Sequence, residues 1–302
     1  MLNTPEGYRS GFVALVGRPN VGKSTLLNKL VGQKVAIMSD KPQTTRHKIH
    51  SVLTRNDAQM VFLDTPGIHK PRHKLGEYMV DVALGALKEV DVALFLVEAS
   101  EAPGPGDQYI AEQLKGIKTP VFLMLNKVDL IQREAVLERI LQYKDLLPFA
   151  EVIPVSALAG ENVERLIDTI IKYLPEGPQY YPADMVTDRP ERFIMAEIIR
   201  EKVLHLTSEE IPHSVAVVVE QIKERNNGVV AVSAVIYTER DSQKAILIGK
   251  GGNMLKEVGR RSREEIENLL GSKVFLELWV KVKKDWRNKM TDIRNFGFTK
   301  ED

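Results

Sequence analysis

Short apolar runs alternate with helical patterns along the first half of the chain. Each run has the length of one buried strand, and the predicted strands cover residues 12–16, 50–54, 59–63, 91–97, 120–125 and 151–155. Apolar residues at helical spacing predict helices at residues 25–31, 107–115 and 161–173, and another that ends near residue 89. This alternation predicts an α/β fold with a doubly wound, mostly parallel sheet. In such a sheet the ligand lies at the carboxyl ends of the strands.

The pattern changes after a proline-rich segment at residues 175–190. Beyond it the predicted order is helix, strand, strand, helix, glycine-rich turn, helix and strand, which indicates a smaller α+β domain. Asn227 and Gly228, between the first two of these strands, are typical of a hairpin turn. The prolines predict a semi-stiff linker. We therefore predict a first domain at residues 1–176, a linker at 177–190 and a second domain at 191–302.

The segment between the first predicted strand and helix fits the pattern G-x-x-x-x-G-K-[ST]. Its residues are Gly17, Arg18, Pro19, Asn20, Val21, Gly22, Lys23 and Ser24, followed by Thr25. Successive backbone N–H groups in such a turn form an anion-binding concavity, and the helix N-terminus adds its dipole. Lys23 can reach the outer phosphates, and the Ser24 hydroxyl can ligate Mg²⁺. The segment therefore predicts a P-loop that binds a nucleoside triphosphate.

Two further segments are placed to sense the γ-phosphate and its Mg²⁺. The polar loop at residues 33–48 contains two adjacent threonines, of which Thr45 is preferred over Thr44 as the residue that closes over the ion. The third predicted strand ends in Asp64, Thr65, Pro66, Gly67 and Ile68. Asp64 would hold the ion, and the Gly67 N–H would contact the γ-phosphate. The predicted metal ligands are Ser24, Thr45 and Asp64.

The fifth predicted strand ends in Asn126, Lys127, Val128 and Asp129, which fit the pattern N-K-x-D. The Asp129 carboxylate can accept hydrogen bonds from guanine N1–H and N2–H, whereas adenine has no matching donor pair. A site built around a buried carboxylate rejects the analogue that leaves it unpaired. Ser156 and Ala157 follow the sixth strand, where the Ala157 N–H could bond guanine O6. Together these motifs predict a GTP/GDP site.

Ile68 stands where some GTPases place a water-orienting glutamine. Its side chain cannot polarise water, so slow intrinsic hydrolysis is expected. Asn20 is a candidate for another catalytic device, because its amide oxygen could hold a monovalent cation such as K⁺ beside the phosphates. The alternative is that Asn20 only stabilises the turn. The predicted catalytic residues are Lys23, Asn20 and Thr45.

The glycine-rich turn of the second domain carries G-x-x-G between two predicted helices. This arrangement matches a KH module, whose turn holds about four nucleotides of single-stranded RNA by their backbone. The predicted RNA-binding residues are Ile248, Gly249, Lys250, Gly251, Gly252, Lys256 and Arg260. The alternative for the basic residues is a solvated helix face. We expect Trp279 and Trp286 to pack rather than to stack on bases.

Composition narrows the range of partners. The net charge of the 302 residues is +1, so any nucleic-acid site must be a local patch. The absence of cysteine excludes disulfides, thiol catalysis and Cys-ligated zinc, and fits a reducing, cytoplasmic location. No apolar run is long enough to span a bilayer, which leaves only peripheral membrane contact. We expect a monomer.

These motifs resemble, in their order and over nearly the full chain, those of the Era family of bacterial ribosome-assembly GTPases. The resemblance rests on residues 17–25, 42–47, 64–68, 126–129, 156–158, 248–252 and 276–282. It implies GTP hydrolysis coupled to binding of the 3′ end of small-subunit ribosomal RNA, a role in assembly of the small ribosomal subunit, and partial membrane association.

Three hypotheses about function remain open. In the first, the nucleotide state sets the affinity for RNA. In the second, the protein is a constitutive RNA-binding module whose nucleotide domain is not coupled to RNA affinity. A membrane-signalling or tRNA-modifying GTPase is the third, and it would lack the second-half pattern or carry extra domains.

Overall fold

The computed structural model describes residues 5–41, 43–208, 211–226 and 228–298. Contacts between residues divide the chain into two compact units. The first comprises Met1–Ala36, Thr45–Arg72 and Gly76–Asp188, and the second comprises Ile37–Thr44, His73–Leu75 and Arg189–Asp302. The main division therefore lies inside the segment predicted as a linker. Two short segments from the first half of the chain, one of which includes the start of a helix, belong to the second unit.

Six strands form the sheet of the first unit, in the order β2-β3-β1-β4-β5-β6. They are β1 (Arg9–Gly17), β2 (Ile49–Thr54), β3 (Ala58–Asp64), β4 (Val92–Glu98), β5 (Val121–Asn126) and β6 (Glu151–Val155). All neighbours are parallel except β2 and β3. Strands β3, β4 and β5 are almost entirely buried, which explains their continuous apolar sequences. The predicted α/β fold with a mostly parallel sheet is confirmed.

Helices alternate with these strands along the chain. They are α1 (Lys23–Val31), α2 (Lys74–Ala86), α3 (Pro105–Leu114), α4 (Arg133–Tyr143) and α5 (Val163–Tyr173). The buried residues of α5 repeat at the spacing of one helix face. Helix α4 was not predicted from the sequence, although its Val136, Ile140 and Tyr143 recur at helical spacing and pack against the core. Its Leu137 and Leu141 are 64% and 50% exposed and blur that pattern.

The first part of the predicted linker is held against β2 and β3. The Val52 N–H donates to the Val186 carbonyl oxygen over 2.8 Å. The buried Gln59 side chain accepts hydrogen bonds from the Tyr180 and Tyr181 amides, at 2.8 and 3.0 Å, and donates to the Tyr181 carbonyl oxygen. The Val52 bond supplies a partner to the edge strand β2, and the Gln59 bonds hold the same segment against β3.

The second unit contains a three-stranded sheet in the order β7-β8-β9. Strands β7 (Ala216–Glu224) and β8 (Val230–Thr238) are antiparallel, whereas β9 (Val274–Val282) is parallel to β8. The helices are α6 (Glu191–Leu206), α7 (Ile211–Ser214), α8 (Asp241–Ile248), α9 (Asn253–Leu270) and α10 (Met290–Asn295). The predicted order of elements is present. Asn227 of the predicted hairpin turn lies outside the described residues.

Charged side chains of α6 hold the segment Ile37–Thr44 within the second unit. The Met38 N–H donates to Glu201 Oε1 over 2.9 Å, and Arg200 donates to the Thr44 carbonyl oxygen. Arg200 and Glu201 are 2% and 1% exposed, and buried charges need such partners. Part of the predicted polar loop at residues 33–48 is therefore fixed by residues far along the chain.

Replacing Gln59 with leucine should lower the free energy of unfolding of the first unit by about 2 kcal/mol, because the amides of Tyr180 and Tyr181 lose their acceptor. Urea denaturation followed by circular dichroism measures the difference. Gln142→Leu is the matched control, since Gln142 is exposed and its loss should change stability by less than about 0.5 kcal/mol. Equal stability of Gln59→Leu and the wild type would contradict the role given to this amide.

Candidate functional site

The P-loop connects the carboxyl end of β1 to the start of α1. Gly22 precedes the helix with a φ of +98°, and a Cβ there would lie 2.2 Å from Asn126 Nδ2. A Cβ on Gly17 would lie 2.5 Å from the Leu96 carbonyl oxygen. Asn20 has a φ of +67°, in a region where asparagine is enriched. The close neighbours of the loop therefore require both glycines.

Lys23 is buried beneath this loop. Its Nζ donates to the carbonyl oxygens of Arg18 and Gly17, at 2.9 and 3.2 Å. Burial lowers the pKa of Lys23 to about 8, against the opposing attraction of Asp64. Because a poorly solvated ammonium group interacts strongly with an anion, a phosphate at the loop would bind Lys23 and keep it protonated.

Ser24, Thr45 and Asp64 form a cluster at the start of α1. Ser24 Oγ lies 2.8 Å from Thr45 Oγ1 and donates to Asp64 Oδ2 over 2.9 Å, and Thr45 Oγ1 lies 3.2 Å from the same carboxylate oxygen. Thr44 instead donates its hydroxyl to the Lys41 carbonyl oxygen over 2.6 Å. The structure thus places Thr45, and not Thr44, in the cluster.

The donor set of this cluster fits Mg²⁺. The ion prefers oxygen ligands and is commonly held by one or two carboxylates, with water and substrate phosphates completing the shell. Asp64 is fully buried, and its Oδ1 has no hydrogen-bond partner in the part of the chain that the structure describes. Within the same residues, no group of three His, Cys, Asp or Glu side chains could hold a metal ion. Water and nucleotide phosphates would therefore complete the shell.

The loop after Asp64 packs directly on the P-loop. The Ile68 N–H donates to the Gly17 carbonyl oxygen over 3.1 Å. A Cβ on Gly67 would lie 2.7 Å from the backbone nitrogen of Pro19, so only glycine fits there. Several predicted nucleotide-binding residues have side chains that pack within the loops themselves, including Val21, Thr65, Pro66, Ile68 and Val128. These side chains shape the loops and are not presented to a ligand.

Asn126 ties two loops together at the carboxyl end of β5. It is 1% exposed, its Nδ2 donates to the Val21 carbonyl oxygen over 2.7 Å, and its Oδ1 accepts the Ala157 N–H over 3.0 Å. The Ala157 amide, predicted to bond guanine O6, is thus paired with Asn126 here and would have to share or exchange this partner to reach a base, so that role stays a prediction. Asn126 positions the P-loop and the loop after β6.

Asp129 is exposed, whereas the sequence analysis expected a buried carboxylate. It lies in a short 3₁₀ turn, Val128–Leu130, directly after Lys127, whose φ of +64° redirects the chain. Lys127 Nζ pairs with Glu98 Oε2 at 2.6 Å. A nucleotide base stacked beside this turn would have to shield the Asp129 carboxylate from water, which the protein alone does not do. Selectivity for guanine over adenine would therefore arise only when the base is bound.

A groove of the second unit lies between α9 and β9. Its apolar wall consists of Leu255, Val274, Phe275, Leu276 and Leu278, and its cations are Lys256, Arg260 and Arg263. Gly252, the last glycine of the G-x-x-G turn, also lines it. Gly249, Gly251 and Gly252 all have positive φ, which glycine adopts without a steric penalty.

The cations of α9 are not equivalent. Arg260 pairs with Glu257 and Glu264, at 2.8 Å each, and Arg261 pairs with Glu257 at 2.6 Å. Lys256 is exposed in the groove, and Lys250 is exposed on the turn. Of the predicted RNA-binding cations, Arg260 is therefore already opposed by carboxylates of its own helix.

The contribution of β9 to the groove was not predicted from the sequence. Leu276 and Leu278 flank Glu277 and therefore share one face of the strand, which was the available signal. Trp286 is fully buried and its Nε1 donates to the Ser214 carbonyl oxygen over 2.8 Å, so its predicted packing is confirmed. Trp279 is 60% exposed, and the same prediction is wrong for this residue.

Two family models match the chain. Residues 12–127 match the model described as a 50S ribosome-binding GTPase, and residues 210–287 match a KH domain. Over 294 residues, which are 97% of this chain and 98% of the relative, the sequence is 60% identical to GTPase Era of Staphylococcus haemolyticus. The chain belongs to the Era family of GTPases.

Solved Era structures agree with this assignment. Era in complex with MgGDPNP and nucleotides 1506–1542 of 16S ribosomal RNA is 45% identical, with a TM-score of 0.95 over 97% of this chain and 99% of that one. A variant of Aquifex aeolicus Era bound to GDP·AlF₄⁻ is also 45% identical, with a TM-score of 0.93 over 96% and 99%. The resemblance to the Era family and the predicted pair of folds are confirmed.

Replacing Asp129 with asparagine should weaken GTP binding at least about 100-fold, because the acceptor for guanine N1–H and N2–H becomes partly a donor. Binding of xanthosine triphosphate should improve. Fluorescence competition with the two nucleotides measures both affinities in the Era-family protein. Asp145→Asn, at another exposed aspartate of the first unit, should leave both affinities unchanged. An Asp129→Asn protein that binds GTP like the wild type would refute this assignment of base recognition.

Proposed function

We propose that this Era-family GTPase is a Mg²⁺-dependent switch that binds small-subunit ribosomal RNA near its 3′ end and assists assembly of the small ribosomal subunit. The observation that carries the proposal is the cluster of Ser24, Thr45 and Asp64 beside the P-loop. The groove of the second unit supplies a surface of the kind that single-stranded RNA requires. The Era complex with MgGDPNP and 16S ribosomal RNA supports both parts.

The small subunit is proposed on the relatives that match the whole chain. The description of the matched GTPase family model names the 50S ribosomal subunit, but that model matches only residues 12–127 of this chain. The solved Era complex matches 97% of this chain and holds RNA of the 16S type.

The P-loop would bind the phosphates of GTP through its backbone amides and Lys23. Ser24, Thr45 and Asp64 would hold Mg²⁺, which when bound neutralises charge that develops on the β- and γ-phosphates. Loss of the γ-phosphate would remove the ligand that orders Thr45 and Gly67, which is the physical basis of a switch.

Ile68 lies in the core, so its side chain cannot take the place of a water-orienting glutamine. We therefore propose slow intrinsic hydrolysis in which the catalytic groups are Lys23, Thr45 and Asn20. Asn20 is exposed on the P-loop, where its amide oxygen could hold K⁺. A hydrolysis rate that is equal in K⁺ and Na⁺ would contradict this role.

RNA would enter the groove with its backbone at the glycine-rich turn and its bases on the apolar wall. Lys250 and Lys256 would contact phosphates without reading sequence. The nucleotide state would set RNA affinity, as in the first hypothesis. Equal RNA affinity with a GTP analogue and with GDP would leave no coupling free energy between the sites, and would favour a constitutive RNA-binding module.

The cytoplasmic location, the peripheral membrane contact and the monomeric state remain predictions. In the described parts of the chain, no helix has both the length and the apolar character needed to cross a membrane. Sedimentation with vesicles tests the membrane contact, and light scattering tests the oligomeric state.

Titration calorimetry in the presence of Mg²⁺ should show uptake of GTP and at least about 100-fold weaker uptake of ATP. Lys23→Ala should abolish GTP binding while circular dichroism stays unchanged, since the variant removes the buried cation that meets the phosphates. Equal uptake of both nucleotides, or uptake of neither, would overturn the proposed function.

Replacing Glu257 with glutamine should tighten binding to a single-stranded RNA of the small-subunit 3′ end by about threefold at low salt. Arg260 and Arg261 hold the pKa of Glu257 at about 2, so its carboxylate is charged and competes with RNA phosphates for both arginines. Fluorescence anisotropy at two salt concentrations measures the effect. Lys250→Gln should weaken binding, and Glu134→Gln, at an exposed position of α4, should change nothing. Unchanged affinity of Glu257→Gln would refute the competition.

A further inference from the structure

The side chain of Arg18 extends from the P-loop to α3. Its Nε donates to Asp107 Oδ1 over 2.8 Å, and its Nη2 donates to Glu101 Oε2 over 2.7 Å. The two acids differ in environment, because the Asp107 side chain is fully buried and that of Glu101 is 54% exposed. A buried partner fixes an arginine far better than an exposed one, whose ion pair is screened by water.

Asp107 is itself held by further contacts. Its Oδ2 accepts the Gly104 N–H over 3.0 Å and the Tyr143 hydroxyl over 3.3 Å. Burial and the charge of Asp107 raise the pKa of Tyr143, so the phenol stays protonated and donates. Both carboxylate oxygens are thus engaged from fixed elements, and the direction of the Arg18 guanidinium is set by the core.

The stem of Arg18 also requires space on α3. A Cβ on Gly106 would lie 2.7 Å from Arg18 Cδ. The absence of a side chain at Gly106 therefore lets the arginine lie flat against the first turn of α3. This packing contact with Gly106 is separate from the ion pair with Asp107, and both hold the Arg18 side chain in the same place.

The backbone of Arg18 is part of the phosphate cradle. Its carbonyl oxygen accepts the 2.9 Å hydrogen bond from Lys23 Nζ. Because the guanidinium and this carbonyl belong to one residue, loss of the Arg18–Asp107 ion pair would let the carbonyl oxygen that contacts Lys23 shift. None of the nucleotide motifs includes Asp107.

We propose that Asp107 is a positioning residue of the nucleotide site, which acts through Arg18 to hold the P-loop in the conformation that receives the phosphates. The inference rests on the proposed GTP binding and adds a residue outside its motifs. The competing role for Asp107 is purely structural: it would only accept the Gly104 amide at the start of α3.

The test compares full-length Asp107→Asn, Arg18→Met and the double variant by stopped-flow dissociation of fluorescent GTP and by equilibrium affinity. Each single variant should bind GTP about tenfold more weakly, mainly through faster dissociation, and the double variant should be no weaker than either single one. This non-additivity is the signature of residues that act as a pair. Glu101→Gln is the matched control, because it removes the exposed partner of the same guanidinium and should change affinity less than about twofold.

Thermal melts give the unfolding temperature of each variant, and GTP binding is compared at a temperature at which all variants are folded. Arg18→Met leaves the hydrogen bonds of Asp107 with Gly104 and Tyr143 intact, so it tests the inference even if Asp107→Asn does not fold. Wild-type affinity of Arg18→Met, or losses that add in the double variant, would overturn the positioning role. A wild-type protein that fails to bind GTP would instead overturn the proposed function itself.

Discussion

The buried carboxylate of Asp64 is the constraint on which the nucleotide site depends. Burial raises its pKa, against the charge of Lys23 and the hydroxyls of Ser24 and Thr45. One of its oxygens accepts those hydroxyls, and the other has no hydrogen-bond partner within the described residues. A buried charge without full pairing costs free energy. The protein therefore holds a polar site whose stability increases when a cation and a polyanion enter together.

The sheet explains why these groups meet. Parallel strands end at the same edge, so the loops after β1, β3, β5 and β6 converge although they lie far apart in sequence. Close packing then fixes each loop against the next: Gly67 against Pro19, Gly22 against Asn126, and Arg18 against Gly106. Small residues at these contacts are structural requirements of the approach, and larger side chains there would separate the loops.

The second unit also has a glycine-rich turn beside lysines, but those lysines attract an anion more weakly than Lys23 does. Glycines open the backbone of the turn in both units, but Lys23 is buried whereas Lys250 and Lys256 are exposed. Exposed cations are screened by salt, and Arg260 is further opposed by Glu257 and Glu264. The groove is thus suited to a long, flexible polyanion that makes many modest contacts, while the P-loop is suited to one compact ligand.

The sequence by itself determined the order of the strands, the P-loop, the N-K-x-D turn and the KH-type arrangement, because each depends on local spacing. The P-loop and the G-x-x-G turn also depend on glycines with positive φ. The sequence did not reveal α4, whose Leu137 and Leu141 face solvent, nor the exposure of Asp129 and Trp279. Nor did it reveal that the Ala157 amide is hydrogen-bonded to Asn126. The ion pair between Arg18 and Asp107 of α3 was likewise not predicted from the sequence. Only tertiary structure decides such matters, because burial and pairing depend on residues that are distant along the chain and adjacent only after folding.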